Sequence, residues 1–233
     1  MRFQQLTELP DSIWDRTELE FLCVSDNSLT SLPESIGRLT NLRALDVAHN
    51  ALTSVPAALG ALPHLSDYLY LSDNRLTELP FVVTTLKDLR YLGITHNQIA
   101  SLPESIANMK GLVELRAYHN GLTKLPDGIG ALQSLRELHL ADNLLRRLPD
   151  AIGNLGQLRI LDLRNNKIEA IPEAIVRCRN LLYLDLRANA LTTLPASLGD
   201  LPKLQKLDLR WNALAEAPSW LARLEKRGCV VLR

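Results

Sequence analysis

The sequence has no excess of charge of either sign, because 26 Lys and Arg residues balance 26 Asp and Glu residues over 233 positions. A general binder of nucleic acids or acidic membranes carries a basic excess, so we expect neither as a partner. No apolar run reaches the roughly 18 residues of a transmembrane helix. The first residues also lack the apolar run typical of a secretory signal, so we expect a cytoplasmic protein.

Cysteine and aromatic residues are scarce. The three cysteines, Cys23, Cys178 and Cys229, are widely spaced and odd in number, which predicts neither a disulfide framework nor a zinc site. Aromatic residues make up 5% of the chain, so the core must be aliphatic. Leucine alone accounts for roughly a fifth of the residues, far above an even share among apolar types.

The common catalytic motifs are missing as well. The sequence contains no GxxxxGK[ST], GxSxG or HExxH motif. Cys23 is expected on an exposed face, but the neighbouring positions offer Asp46 and Phe21 rather than a histidine base. We therefore predict that the protein is not an enzyme and needs no cofactor.

What the sequence does have is a repeat. Asparagine recurs at steps of 23, 24 and then 23 residues six times. Its positions are Asn27, Asn50, Asn74, Asn97, Asn120, Asn143, Asn166, Asn189 and Asn212. Proline keeps the same spacing from Pro10 to Pro218. A fixed period of this length is typical of a solenoid. The copy from Leu42 to Leu62 illustrates the template LxxLxLxxNxLxxLPxxIGxL.

This template resembles the leucine-rich repeat family. It is most similar to the 23-residue intracellular class, found in Ras-pathway scaffold proteins, plant intracellular leucine-rich repeat proteins and bacterial relatives. The resemblance extends over about nine copies, residues 5–212. It implies an α/β solenoid shaped as a horseshoe, with a parallel β-sheet on the concave face and 3₁₀ or short helical turns on the convex face.

Elementary stereochemistry agrees with that fold. In LxLxx the leucines point inward and the intervening residues outward, by the period of two in a strand. The asparagine side chain has donors and an acceptor for backbone groups freed at the turn, and stacked repeats predict an asparagine ladder. Bulkier outer segments bend the stack.

We expect a single domain over residues 1–233, with a partial repeat at 1–4 and a capping segment at 213–233. Residues 228–232 are predicted to form a tenth strand, and Trp220 to shield the core. The outer segment at 81–85 departs from the template and is expected to expose apolar residues. The one 24-residue copy holds an extra residue at 65–71, which is either a tolerated loop insertion or a bulge that re-aims Tyr68 or Asp67.

The inner columns, which we define as the positions 6, 4, 2 and 1 before each repeat asparagine, should face the concave side. All five tyrosines and four of the five histidines occupy them. Tyrosine suits an exposed strand for structural reasons alone, but exposed Tyr, Trp and Arg are also common interface anchors. The predicted partner-binding residues are Tyr68, Tyr70, Tyr91, His96, Glu114, Arg116, Tyr118, His119, Glu137, His139, Arg164, Tyr183, Arg187, Arg210 and Trp211.

These residues divide into an aromatic, titratable patch in the middle and a lattice of Asp–Arg pairs in the C-terminal third. The lattice either balances charge within each column or docks a charged partner. The inner columns carry nine carboxylates and five Lys or Arg residues, which disfavours nucleic acid. His96 and His119, with Asp73 and Asp142 nearby, either bind a transition metal, titrate with pH, or are simply solvated; we predict no metal.

Three functions follow as hypotheses. The first is a monomeric, non-catalytic module that binds a protein or peptide on its concave face. The second is the substrate-recognition part of a larger enzyme, such as a leucine-rich repeat ubiquitin ligase or kinase. The third is an assembly role through the ends or the outer patch at Phe81. Arginine is much commoner than lysine, which favours a GC-rich bacterial source and either a cytoplasmic role or delivery into a host cell as an effector.

Overall fold

The computed structural model describes residues 1, 4–216 and 218–233. Ten three-residue strands form one parallel sheet in chain order. They are β1 Phe21–Cys23, β2 Ala44–Asp46, β3 Tyr68–Tyr70, β4 Tyr91–Gly93, β5 Glu114–Arg116, β6 Glu137–His139, β7 Ile160–Asp162, β8 Tyr183–Asp185, β9 Lys206–Asp208 and β10 Val230–Leu232. The chain therefore forms a solenoid with one parallel sheet, as the repeat predicts, and the tenth strand pairs with β9 as expected.

Each strand is connected to the next through a short outer helix. In the described residues eight of these connections are 3₁₀ helices, at Glu34–Arg38, Ala57–Ala61, Phe81–Thr85, Glu104–Asn108, Asp127–Ala131, Asp150–Asn154, Glu173–Arg177 and Ala196–Asp200, and a further 3₁₀ helix, Asp11–Asp15, precedes β1. A proline precedes every one, and its fixed φ, for example −75° at Pro103, sets the entry into the turn. The last connection is the α-helix α1, Leu221–Lys226.

One aliphatic core runs through all the repeats, from Ile13 to Cys229. The central strand leucines, such as Leu69 and Leu138, are completely buried. At the C-terminal end Trp220 is 8% exposed and packs beside Gly199, where an added Cβ would lie 3.0 Å from the indole. Trp220 therefore covers the core, as expected from the sequence.

The repeat asparagines link successive turns of the solenoid. The Nδ2 of Asn143 donates to the carbonyls of Ala117, Leu140 and Ala141 at 3.0–3.1 Å. Its Oδ1 accepts the Leu122 amide at 3.0 Å. Because one side chain satisfies groups from two repeats, it fixes the stacking of one turn on the next.

The extra residue of the 24-residue copy does not bulge the strand. β2 and β3 keep an unbroken register, with Ala44 opposite Tyr68 and Asp46 opposite Tyr70. The additional residue lies in the preceding loop, where the amides of Ser66 and Asp67 both donate to the Arg43 carbonyl. The loop-insertion interpretation is therefore correct, and Tyr68 stays on the sheet.

Two further features bear on the surface. In the outer segment that departs from the template Phe81 is 68% exposed, as predicted, but Val83 is completely buried, so the expected exposure of apolar residues is correct only in part. In the part of the chain that the structure describes, no helix has both the length and the apolar character needed to cross a membrane.

Candidate functional site

Every predicted partner-binding residue retains some solvent exposure. Four of them, His96, His119, Tyr183 and Trp211, are exposed, and the others are half-buried. At the position two before the asparagine most of the small residues are buried, namely Ser25, Ala48, Thr95 and Ala141, whereas Ser72 is half-buried. These small residues form the floor of the concave face rather than its contact surface.

The position directly before each repeat asparagine has a left-handed backbone. All nine of these residues have φ between 50° and 59°. Asp, Asn and His tolerate this conformation better than other non-glycine residues. Seven of the nine positions carry one of these types: Asp26, His49, Asp73, His96, His119, Asp142 and Asn165. The gathering of histidines in this column therefore has a backbone cause.

Two residues depart from that preference. Ala188 and Trp211 also have left-handed backbones, with φ of 53° and 59°. A bulky aromatic side chain is an outlier in this region. Trp211 is in addition 71% exposed, and its indole lies 5.5 Å from the Arg210 guanidinium carbon.

A row of four aromatic rings crosses the N-terminal strands. Tyr70 lies 4.8 Å from both Tyr68 and Tyr91, and Phe21 lies 5.9 Å from Tyr68 (all between ring centroids). The row depends on Gly93, because a Cβ there would lie 3.1–3.2 Å from the rings of Tyr70 and Tyr91. Phe21 was not among the predicted residues, although it occupies an inner column.

Arg116 continues the row toward the middle of the sheet. Its guanidinium carbon lies 5.7 Å from the centre of the Tyr91 ring, and its Nε donates to Glu114 at 2.5 Å. Burial raises the pKa of the Tyr91 hydroxyl well above its ordinary value, although the charge of Arg116 opposes this. Burial disfavours the charged form of Arg116, but the hydrogen bond to Glu114 and the electrostatic contributions of Tyr91, Glu114 and Tyr118 together outweigh it, and the arginine pKa is raised.

His96, Tyr118 and His119 form the next cluster. The two imidazoles are stacked with centroids 4.3 Å apart, and the Tyr118 ring meets both edge-on at 5.7 and 5.6 Å. His119 approaches Asp142 at 3.4 Å. Asp73 instead approaches His49, at 3.7 Å. The predicted environment of two carboxylates beside His96 and His119 is therefore half correct.

Glu114, Glu137 and His139 bring three possible metal ligands within 4.8 Å of one another. Glu114 and Glu137 are direct cross-strand neighbours, and like charges in that position repel. His139 approaches Glu137 at 3.2 Å, while Arg116 already holds Glu114. The carboxylates thus have protein partners in this arrangement.

A cavity of about 280 Å³ opens on the concave face between the aromatic row and this middle cluster. It is lined by Ser25, Asp46, Ala48, His49, Tyr70, Ser72, Asp73, Tyr91, Thr95, Arg116 and Tyr118. Four of these were predicted as partner-binding residues. Asp46, His49 and Asp73 were not, although they stand in the inner columns of the same repeats.

The C-terminal third carries three ion pairs of one design. In each pair an aspartate contacts the arginine two residues later. The distance between carboxylate oxygen and guanidinium nitrogen is 3.7 Å for Asp162, 3.2 Å for Asp185 and 2.6 Å for Asp208. The same carboxylates accept the backbone amides of those arginines. The side chain of Asp208 is only 2% exposed, against 36% for Arg210. The lattice predicted from the sequence is therefore present, with its last carboxylate beneath the guanidinium.

The pKa values of two adjacent aspartates move in opposite directions. Burial, reinforced by Asp162 and Asp208, raises the pKa of Asp185 despite the contacts from Arg187. Burial also acts on Asp208, but the hydrogen bonds from Arg210 outweigh it and the pKa of Asp208 is lowered. Tyr183 is 42% exposed and borders a second cavity of about 220 Å³ with Ile160 and Lys206.

Family models for leucine-rich repeats match most of the chain. The model described as "Leucine rich repeat" matches residues 17–76 and 156–214, which is just over half of the sequence. "Leucine-rich repeat region" matches residues 57–143, and "Leucine Rich repeats (2 copies)" matches residues 133–176. No curated protein sequence matches the chain significantly.

Solved structures of plant receptors are similar to the chain. The plant peptide hormone receptor RGFR1, solved in complex with RGF2, is 28% identical with a TM-score of 0.74, over 97% of this chain and 41% of the receptor. The ectodomain of the Arabidopsis thaliana receptor kinase GASSHO1/SCHENGEN3, solved with CASPARIAN STRIP INTEGRITY FACTOR 2, is 27% identical with a TM-score of 0.61, over 97% of this chain and 34% of that one.

A bacterial structure shares the fold. The internalin InlF of Listeria monocytogenes is 20% identical with a TM-score of 0.75, over 97% of this chain and 70% of the internalin. The chain thus spans about two fifths of the length of the first plant receptor and more than two thirds of the internalin.

Proposed function

This chain belongs to the leucine-rich repeat family, and on that premise we propose that it is a non-catalytic module that binds a protein or peptide on its concave face. The fold is typical of protein–protein interaction modules. The observation that carries the proposal is the continuous run of aromatic rings from Phe21 to Tyr91, which Arg116 extends along the concave face.

The chemistry of this surface suits a protein partner. Tyrosine, tryptophan and arginine are enriched at the energetic centres of interfaces because they bury a large area and keep a polar group for hydrogen bonding. Tyr70, Tyr91 and Arg116 hold one another in place. Side chains that are already ordered lose less conformational entropy when a partner binds.

The similar structures support the same function. Two of the receptors were solved in complexes with RGF2 and CASPARIAN STRIP INTEGRITY FACTOR 2. The alternative, a recognition part of a larger enzyme, is supported by the description of one neighbour as the ectodomain of a receptor kinase. The length of the natural reading frame around these 233 residues distinguishes the two.

We also propose a domain organisation, an oligomeric state and a source for this protein. A single domain over residues 1–233 is supported by the one sheet and the one core that the described residues share. We also propose that the protein acts as a monomer. The preference for arginine over lysine supports a bacterial source. A cytoplasmic scaffold and an effector delivered into a host cell are the two roles that fit such a source.

The test is a triple substitution on the concave face, Tyr91→Ala, Arg116→Ala and Tyr118→Ala. We expect affinity capture from host and bacterial lysates to lose a partner that the native protein retains, with thermal unfolding still cooperative. The matched control is His64→Ala, Phe81→Ala and Arg146→Ala, three exposed residues outside the inner columns, and it should retain the partner. A partner that the concave-face variant still captures would place the interface elsewhere.

A further inference from the structure

The charge of the inner columns changes along the solenoid. The columns of β1 to β4 contain three carboxylates, Asp26, Asp46 and Asp73, and no Lys or Arg. The columns of β7 to β9 contain four cations against three carboxylates; the cations are Arg164, Arg187, Lys206 and Arg210. The zero net charge of the chain therefore hides a concave face that is acidic toward one end and basic toward the other.

Side-chain depth increases this contrast. In two of the three pairs the carboxylate is more buried than the guanidinium, with exposures of 17% for Asp162 against 43% for Arg164 and 2% for Asp208 against 36% for Arg210. In the third pair the exposures are nearly equal, 24% for Asp185 and 26% for Arg187. A partner approaching this region meets guanidinium groups before it meets carboxylates. Charge complementarity therefore favours an anionic group here.

The cavity lined by Tyr70 and Tyr91 favours a cationic group instead. Asp46 and Asp73 line it together with the rings of Tyr70 and Tyr91. Carboxylates beside aromatic faces attract a cation through Coulomb and cation–π interactions. Arg116 also lines the cavity, but its charge is directed to Glu114 and to the Tyr91 ring.

Trp211 indicates that the basic region at β7 to β9 is a contact surface. Its left-handed backbone suits Asp, Asn or His, and its indole is largely exposed. A residue that is unfavourable for the backbone and exposes an apolar ring points to a function in binding. It stands beside Arg210, the last of the exposed guanidiniums.

We propose that the concave face binds an extended protein segment in one direction, with a basic side chain in the Tyr70–Tyr91 cavity and an acidic side chain on Arg187 and Arg210 beside Trp211. The inference rests on the proposed function and specifies the chemistry of the partner. From β3 to β8 there are five strand steps, about 24 Å at the usual spacing, which an extended chain crosses in about seven residues.

The experiment uses two probe peptides of identical composition. The spaced peptide has two arginines near one end and two glutamates near the other, with a Gly/Ser linker that sets the charge pairs about seven residues apart. The compact peptide has the two pairs adjacent. A photoreactive group follows the glutamates in both. We expect the spaced peptide to bind at least about fivefold more tightly and its label to react with the region from Tyr183 to Trp211.

Neutralised variants test each end separately. Asp46→Asn with Asp73→Asn should abolish the contribution of the arginines and leave that of the glutamates. A fourfold variant should abolish the contribution of the glutamates to binding and leave that of the arginines. It combines Asp185→Asn, Arg187→Gln, Asp208→Asn and Arg210→Gln, so no unpaired charge remains in the buried pairs. The control, Arg146→Gln with Glu169→Gln, neutralises an exposed ion pair outside the inner columns. It should change neither the contribution of the arginines nor that of the glutamates to peptide binding. Circular dichroism confirms that each variant is folded.

The results separate this inference from the proposed function. If the peptides need Tyr91, Arg116 and Tyr118 but ignore spacing and neutralisation, the concave face binds peptides and the directional proposal is wrong. Labelling at β1 to β4, or equally at both ends, also overturns it, as does an absence of binding by the spaced peptide. Binding that survives every concave-face substitution contradicts both proposals.

Discussion

The two ends of the concave face organise the same scaffold differently. From β1 to β5 contacts along single strands are joined by contacts across strands, as where the rings of Phe21 and Tyr68 meet above β2, whose Ala44 is small and buried. From β7 to β9 the main contacts run along each strand, from an aspartate to the arginine two residues later. The first region is a connected cluster and the second is a series of separate pairs.

This difference shows what the repeat leaves free. Both regions share the buried leucines, the asparagine contacts and the proline-led turns. The inner columns differ between the two regions, so the stability of the fold and the chemistry of the concave surface are largely independent. Substitutions in the shared scaffold should therefore cost the same in both regions, whereas substitutions in the inner columns should not.

The largest effect is expected from the asparagines, and it should be equal in the two regions. Asn97→Ala and Asn189→Ala each remove three donated hydrogen bonds and one accepted one. Each should destabilise the protein by about 2–4 kcal/mol, because several partly buried backbone groups lose their partner. Urea unfolding measures this. Costs that differ by more than about 1 kcal/mol would contradict the idea of a uniform scaffold.

The next effect separates two neighbours within the ionic region. Asp208→Asn should cost about 1–2 kcal/mol at pH 7, since it weakens the hydrogen bonds from Arg210. The folded pKa of Asp208 is lowered, so this stabilisation is present above the unfolded value of about 4 and is lost as pH falls through the folded value. The difference between the variant and the native protein should therefore narrow at acid pH.

Asp185→Asn is the matched comparison. Because the folded pKa of Asp185 is raised, its ionisation opposes folding as pH rises through that folded value. The variant should be as stable as the native protein at pH 7 or more stable, by up to about 1 kcal/mol. Denaturation series at several pH values measure both variants. A loss at pH 7 as large as that of Asp208→Asn would show that the two aspartates are equivalent.

Trp211→Asn should stabilise the protein. Asparagine suits the left-handed backbone at this position better than tryptophan, and the exposed indole has few contacts to lose. A gain of about 0.5–1 kcal/mol is expected, measured as a rise in the thermal midpoint. Ala188→Asn is the control, with the same backbone and a smaller expected gain. Destabilisation by Trp211→Asn would mean that the contact with Arg210 outweighs the backbone preference.

The fold was predictable because its determinants are periodic. The asparagine and proline spacing set the strands, the turns and the register, and the tenth strand at Val230–Leu232 followed from the same pattern. The position of the extra residue was not predictable. Only the structure shows that Ser66 and Asp67 absorb it in the loop before β3, because a loop and a bulge have the same sequence signature.

The surface was predictable as a set of columns but not as a site. The columns placed Tyr70, Tyr91 and Arg116 together, yet the same cavity is also lined by Asp46 and Asp73, which stand in the inner columns but were not among the predicted binding residues. The histidine column was interpreted as surface chemistry, whereas the left-handed backbone at His49, His96 and His119 accounts for it. A sequence pattern cannot distinguish a backbone requirement from a binding requirement at one position.

The smallest expected effect tests whether the ionic region is a series of independent pairs. Arg164 is 43% exposed and lies 3.7 Å from Asp162, so Arg164→Ala should change stability by less than about 0.5 kcal/mol. Arg210 covers a buried carboxylate at 2.6 Å, so Arg210→Ala should cost about 1–2 kcal/mol of stability.

Urea unfolding of both single variants and of the double variant measures the pairs and their coupling. The two costs should add to within about 0.5 kcal/mol, because the pairs are two strands apart. A larger coupling would mean that the C-terminal third is one connected network, as the aromatic region is.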